Sequence, residues 1–456
     1  MSHRPLTPGS NPSVGAALAG ARGLIDAGRR TAAVGTLQTL EPRLQGDPGG
    51  LQSAGEMFLA CGRVADALRC YQAAVALAAG DPRALYNLAS TLVAVGDLLG
   101  AEKAFDRVIA LDPADADAFH NRSTLRKWTP DDNHLASLTT AIAGVRHPAA
   151  EVALCYALAK EHEDLGDHQA AWSWLARGAA RRRALMSYRV EADLETMAQI
   201  EAAFDASRMS NAAASAPSGP VFILGLPRSG TTLVDRIVSA HSQVESLGEI
   251  PDFALSLMDA AGSATSKSEL VARSARMDFQ RLGQAYETRV RDYGRPARFL
   301  IDKTPANYLY IGLIALSLPG SVIIHVRRDP MDNGYALLKT LFRTGCPYSY
   351  DQSDLARYIA AFERLMTHWR SVLPGRVVEV NYEDLIEDQE GQSRRLIAAL
   401  GLKWEAACLA FHTNPSPSAT ASAAQVRRPL YRDSVGLWRR YAPELSPLAA
   451  GLGAAG

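Results

Sequence analysis

Cysteine is scarce in this sequence. The five present, Cys61, Cys70, Cys155, Cys346 and Cys408, are scattered. The number is odd and none forms a C-x-x-C pair, which argues against a disulfide framework or a zinc site. They read as small buried core residues in a reducing compartment. Net charge is missing too, because 48 basic residues balance 48 acidic ones. That argues against bulk nucleic-acid or anionic-membrane binding, while local basic pockets stay open. There is no His/Cys cluster, so no metal is expected. No stretch approaches roughly 18 uninterrupted apolar residues. The polar, proline-containing start MSHRPLTPGSNPS lacks the apolar core of a signal peptide. The expectation is a soluble cytoplasmic protein with no membrane span and a short disordered leader over residues 1–13.

At 456 residues the chain exceeds one ordinary domain. Its first half is rich in alanine and leucine, and it repeats. GDPGGLQSAGEMFLACGRVADALRCYQAAVAL starts at Gly46 and GDPRALYNLASTLVAVGDLLGAEKAFDRVIALDP at Gly80, an offset of 34 residues (80 − 46). In the second copy Leu85, Leu88, Ala89, Leu92, Gly96, Ala101, Phe105 and Pro113 carry the pattern. Gly55, Phe58, Gly62, Ala67 and Tyr71 take matching places in the first. Small residues let two helices of a hairpin approach, and large ones fill the groove between them. Weaker copies run through Ala21, Leu24, Gly28, Ala33 and Leu37, and through Ala159, Gly166 and Ala171. The period and pattern resemble tetratricopeptide (TPR) repeats. This predicts an all-α solenoid over 14–204, interrupted between the second and last clear copies but continuous in space. Such solenoids offer concave docking surfaces. The run Arg181 to Arg183 reads as a solvated helix end.

The stretch 205–219 turns to alanine, serine and proline without period, and reads as a linker. From 220 to 456 short apolar runs (VFILGL, ARFLID, SVIIHVRR, GRVVEV) alternate with amphipathic helical stretches. That alternation predicts an α/β domain with a parallel sheet and crossover helices.

Within it, VFILGLPRSGTTLVDRI reads as strand, glycine turn and helix start. Gly225 and Gly230 have the spacing of the phosphate-cradling loop G-x-x-x-x-G-K-[ST], but Thr231 stands at the lysine position. Backbone N–H groups and the helix N-terminus still converge there on an anion. Arg228, Ser229, Thr231 and Thr232 can add hydrogen bonds. Without the lysine a terminal triphosphate loses its main counter-charge, so a different phosphate or sulfate ligand is expected.

PRSGTT after VFILGL resembles the 5′-phosphosulfate loop of sulfotransferases, which use 3′-phosphoadenosine-5′-phosphosulfate (PAPS). The likeness is greatest to the tyrosylprotein sulfotransferase branch and to bacterial proteins joining TPR repeats to such a P-loop-like domain. Further motifs follow in the family's order. Glu249, in SAHSQVESLGEIP, lies 21 residues past Arg228 (249 − 228), where the family has its catalytic base. His241 reads as structural. The resemblance gives Lys303, in FLIDKTPANYLYIG, the role of stabilising the leaving 3′,5′-bisphosphate. It gives Arg328, in SVIIHVRRDPMDNGYALLKTLF, the 3′-phosphate. The family serine eight residues on is Ala336 here, with Asn333 and Lys339 as possible replacements. Tyr382, in VVEVNYEDL, falls where the family has a tyrosine near the cofactor; ending a strand is its plainer role. Ser422 and Arg428, with Arg427 as the alternative arginine, fall in the segment that closes over the cofactor. Leu437 stands where the family has a lysine before tryptophan.

The resemblance thus implies a PAPS-dependent, metal-free enzyme that sulfates a hydroxyl acceptor, with a peptide or protein docked by the TPR domain as one candidate. Two other readings stay open. One is a TPR scaffold with an inactive sulfotransferase-like domain, which Ala336 and Leu437 favour. The other is a P-loop kinase or triphosphatase, which Thr231 disfavours.

Overall fold

The computed structural model describes residues 13–212, 215–414, 416–417, 425–430 and 432–453. The repeat period becomes antiparallel helix pairs: Val14–Asp26 with Arg30–Leu40, Pro48–Ala60 with Val64–Leu77, Pro82–Val95 with Leu98–Leu111, and Pro148–Asp164 with His168–Ala184. The recurring Gly-Asp explains the starts. Asp47, Asp81, Asp97 and Asp167 each accept a first-turn backbone N–H, satisfying a donor that the helix cannot. Pro48 and Pro82 follow at positions where no N–H is needed. The small-against-large logic is visible at Gly55, where a Cβ would sit 2.8 Å from the Tyr71 ring.

Where the repeat breaks, Trp128 fills the gap. It is buried, its indole N–H donates to the Ser123 carbonyl at 2.8 Å, and the Arg126 guanidinium lies 3.8 Å from its ring centre. Helix Ala116–Ser123 packs directly on Pro148–Asp164, so the array continues through the break.

The second half is built on a five-stranded parallel sheet in the order β2-β3-β1-β4-β5: β1 Val221–Leu224, β2 Val244–Ser246, β3 Phe299–Asp302, β4 Val322–Arg327 and β5 Val377–Asn381. Both faces are covered, which is why its central strands read as unbroken apolar runs. Phe222, Leu224 and Ile323 face helices Ile311–Ser317 and Gln352–Val372. Val221, Ile223, Ile301 and Ile324 face helices Thr231–Val238 and Gln389–Ala399. The chain leaves β1 toward β2 and β3, then returns across to β4 and β5. The C-terminal end of β1 is thus a switch point, where parallel sheets place their ligand sites. Residues 215–219 run to β1 along the loop before β4, with Ser215, Ser218 and Gly219 N–H groups donating to the Pro319 and Gly320 carbonyls.

The helical array is bonded to the sheet domain at several points along its length. Arg30 pairs with fully buried Asp252. Arg427 donates to the Ala94 carbonyl at 3.0 Å, beside Gly96, where any Cβ would collide with the guanidinium. Glu163 binds Lys339 at 2.6 Å. Arg183 does not end in solvent as the sequence leads one to expect; it pairs with Asp354 at 2.9 Å. Helix Val190–Ala203 packs on Gln352–Val372, with Met197, Ile200 and Phe204 in the sheet domain's core. Among the described residues no helix is long and apolar enough to cross a membrane. All five cysteines are unpaired, and all but Cys346 are buried.

Candidate active site

The loop 225–230 bends sharply from β1 into helix Thr231–Val238. Gly225 has φ +147°, and a Cβ there would lie 2.5 Å from the Val326 carbonyl oxygen. Gly230 has φ +106°, and a Cβ there would lie 2.5 Å from the Tyr382 ring. Only glycine meets both demands. Arg228 adopts φ +67°, a left-handed conformation unusual for a residue with a side chain and common at ligand clamps. No side chain caps the helix start, and a helix start of this kind directs backbone N–H groups and partial positive charge toward an anion. Ser229 is buried, and its hydroxyl has no protein partner. An uncapped helix start, an orphaned hydroxyl, a glycine cradle and adjacent arginines fit a multiply charged anion such as a phosphosulfate.

On the β4–β5 side, Arg328 leaves the end of β4 and locks the loop. Its Nη1 donates to the Arg228 carbonyl at 2.9 Å and its Nη2 to the Ser434 carbonyl at 2.7 Å. Its guanidinium lies 4.8 Å from the centre of the Tyr382 ring, and the Tyr382 and Ser434 hydroxyls are 3.0 Å apart. Asn333 holds the loop by donating to the Pro227 carbonyl at 2.9 Å. Asp329 caps helix Pro330–Leu338 through the Asp332 N–H. A cavity opens here, lined among others by Arg228, Gly230, Thr232, Arg328, Tyr382 and Arg428. Ala336, Lys339 and Leu437 also line it. Ser422 lies outside the described residues.

On the β3 side sit Glu249 and Lys303. The segment before Asp252 is zipped onto β3: Leu247 N–H donates to the Ile301 carbonyl, Lys303 N–H to the Gly248 carbonyl and Ile250 N–H to the Thr304 hydroxyl. That zipper sets the two side chains together, with Lys303 Nζ 2.5 Å from Glu249 Oε1. Lys303 is 1% exposed and Glu249 48% exposed, so a buried ammonium meets a carboxylate at the rim. His241 is buried and hydrogen-bonded to the Lys403 carbonyl, apart from this pair.

The C-terminal edge of the sheet thus carries the loop in the middle, Lys303 and Glu249 to one side, and Arg328 and Tyr382 to the other. Sequence reasoning missed several residues here. Asp235, one turn into the loop helix, is buried; burial raises its pKa, and the Lys303 charge opposes that rise. Ser434 and Asp332, which accepts from the Gly436 N–H at 2.7 Å, hold the C-terminal segment over the cavity. Asp235 and Asp332 sit inside the loop and RRDP stretches, but no spacing marks their roles, and Ser434 lies in neither.

Asp302 was also missed. It is buried beside Lys303, accepting from the Thr304 hydroxyl at 2.7 Å and the Tyr286 hydroxyl at 3.1 Å. Burial pushes its pKa up to about 7 despite those bonds. Unfolded, it loses its proton near the ordinary carboxylate value of about 4. Between these values the folded state binds more protons, so stability falls as pH rises from about 4 to about 7 and levels off above. Asp302→Asn is expected to remove that slope, read as urea midpoints across this range. The same slope in the variant would assign it to another group.

Parts of the chain match known protein families. Residues 220–406 match the model of the sulfotransferase family, and residues 82–115 match a tetratricopeptide repeat. The first match spans all five strands and the loop after β1, and the second lies in the helical array. Among curated relatives, an uncharacterized protein of Aquifex aeolicus is 33% identical over 239 residues, 50% of this chain and 31% of that protein. Protein-tyrosine sulfotransferase 2 of Gallus gallus is 24% identical over 192 residues, 40% of this chain and 51% of that one. Omega-hydroxy-beta-dihydromenaquinone-9 sulfotransferase of Mycobacterium bovis is 33% identical over 118 residues, 24% of this chain and 30% of that one. The chain spans between about a third and a half of the length of these relatives.

Proposed function

We propose that the protein is a PAPS-dependent sulfotransferase acting on an acceptor hydroxyl. One observation carries the reading: directly after β3, the strand beside β1, buried Lys303 lies with its Nζ 2.5 Å from Glu249 Oε1, on the same sheet edge as a loop that has Thr231 at the lysine position. PAPS, when bound, supplies an activated sulfuryl group. The chain's own residues supply the rest. The loop N–H groups, Arg228, Ser229, Thr231 and Thr232 hold the 5′-phosphosulfate. Arg328 holds the 3′-phosphate, Tyr382 flanks the nucleotide, and Arg428, which lines the same cavity, adds charge to it. Glu249, at the rim, takes the acceptor's proton. An ammonium has three N–H donors. Lys303 uses one on Glu249 and can turn the others toward the departing bisphosphate.

The relatives' names point to a protein tyrosine and to an omega-hydroxylated menaquinone, both of which bear a hydroxyl. The tetratricopeptide repeats favour a peptide or protein acceptor, docked along the array.

Thermal unfolding tests the donor. Adenosine 3′,5′-bisphosphate without metal is expected to stabilise the protein, by about 2.7 kcal/mol at a hundredfold excess over Kd. ATP with magnesium is expected to give no comparable shift. Protection by ATP with magnesium alone would make the protein a triphosphate enzyme. Protection by neither would leave an inactive scaffold. Labelled PAPS with tyrosine peptides and other hydroxyl compounds then identifies the acceptor.

A further inference from the structure

We infer that Lys339, aimed by Glu163 of the helical array, is a second ligand of the donor's 3′-phosphate, so that the tetratricopeptide half completes the donor site. The inference rests on the PAPS reading. Ala336 puts only a methyl group in the wall of the cavity that Arg328 also lines. Three residues on, one helical turn along the same face, Lys339 lines that same cavity. The ammonium of Lys339 is thus a polar group on a wall that Ala336 leaves apolar.

Lys339 is held in place. Its Nζ donates to Glu163 Oε2 at 2.6 Å, from helix Pro148–Asp164 of the array. The other carboxylate oxygen accepts from the Tyr335 hydroxyl and, at 3.2 Å, from the Tyr441 hydroxyl. Burial alone would raise the Glu163 pKa; the Lys339 charge and the two hydroxyls outweigh it and lower the value. The Lys339 Nζ also lies 5.0 Å from the Tyr335 ring centre. With Glu163 fixed by two tyrosines, the lysine has a set direction.

An ammonium donates three hydrogen bonds, and Glu163 takes one. Among the described residues no second acceptor is bonded to it, which leaves two for an anion in the cavity. The Lys339–Glu163 pair is neutral overall, so it adds directed donors rather than bulk attraction. The 5′ end of the nucleotide is committed to the loop after β1. The 3′-phosphate is then the anion left for the cations Arg328 and Lys339 that line the same cavity.

Titration calorimetry on the full chain separates the possibilities, using adenosine 3′,5′-bisphosphate and adenosine 5′-monophosphate, which differ only in the 3′-phosphate. Lys339→Met is expected to weaken bisphosphate binding about ten- to a hundredfold, the range for a charge-assisted bond, and to leave the monophosphate within about threefold. Lys339→Arg is expected to restore most of the preference. An unchanged preference in Lys339→Met, whether both affinities hold or fall together, overturns the inference and makes the lysine a purely structural tie. Failure of the unmodified protein to bind the bisphosphate is a separate result, because it removes the PAPS reading itself.

Discussion

Replacing Glu249 by glutamine is expected to lower kcat about a hundred- to ten-thousandfold, with little change in affinity for adenosine 3′,5′-bisphosphate. Glutamine is the informative replacement. Lys303 is almost fully buried, and Glu249 is its hydrogen-bonded counter-charge. Alanine would leave a buried ammonium without a partner, and the resulting strain would confuse lost stability with lost chemistry. Glutamine keeps an oxygen for the lysine to bond but cannot take the acceptor's proton. Initial rates with labelled PAPS, beside calorimetry with the bisphosphate, separate the two effects. Full activity in Glu249→Gln would remove Glu249 as base. A parallel loss of rate and bisphosphate binding would mean that the change had disturbed the Lys303 side of the loop.

Arg30→Met is expected to destabilise the protein by about 3–5 kcal/mol, the usual consequence of removing one partner of a buried ion pair. Asp252 is completely buried. It is held by both terminal nitrogens of Arg30, at 2.9 and 3.1 Å, and by the Tyr293 hydroxyl at 2.9 Å. The Arg30 guanidinium also lies 4.3 Å from the Tyr293 ring centre. Methionine preserves much of the aliphatic volume and removes the charge, so the measured loss is chiefly electrostatic. The double variant Arg30→Met, Asp252→Leu is expected to recover much of it, since an apolar pair of similar size often matches a buried ionic one. Urea denaturation of the two singles and the double forms the cycle. A single variant as stable as the unmodified protein would show that the pair contributes nothing. Asp252 begins the helix that follows Glu249 by three positions, so a lower rate in Arg30→Met is a further expected sign.

The sequence made the period-34 helices and the apolar strands legible because each records burial along a short stretch. β2 escaped notice. It is three residues long, lies at the sheet edge, and buries only Val244, so it never forms an apolar run. The loop, Glu249, Lys303, Arg328 and Tyr382 were legible because each sits in a local motif. Ser434, the Glu163–Lys339 pair and the Arg30–Asp252 pair were not, because their partners lie far away in the chain and no spacing rule connects them. Helix Val190–Ala203 shows a similar limit. Its composition matches the array, but an amphipathic pattern does not say which neighbour will cover the apolar side.

The ties at Arg30, Ala94 and Glu163 have a consequence for how such a chain can vary. A solenoid ordinarily gains or loses a repeat with little harm, since each unit contacts only its neighbours. Here the array is measured against a fixed object. Inserting one 34-residue unit between Arg30 and Glu163 would carry at least one tie out of register with Asp252, Arg427 or Lys339. Repeat number, normally the freest variable in this architecture, is locked by the sheet domain it flanks, and the two halves are expected to change together rather than be exchanged as separate parts.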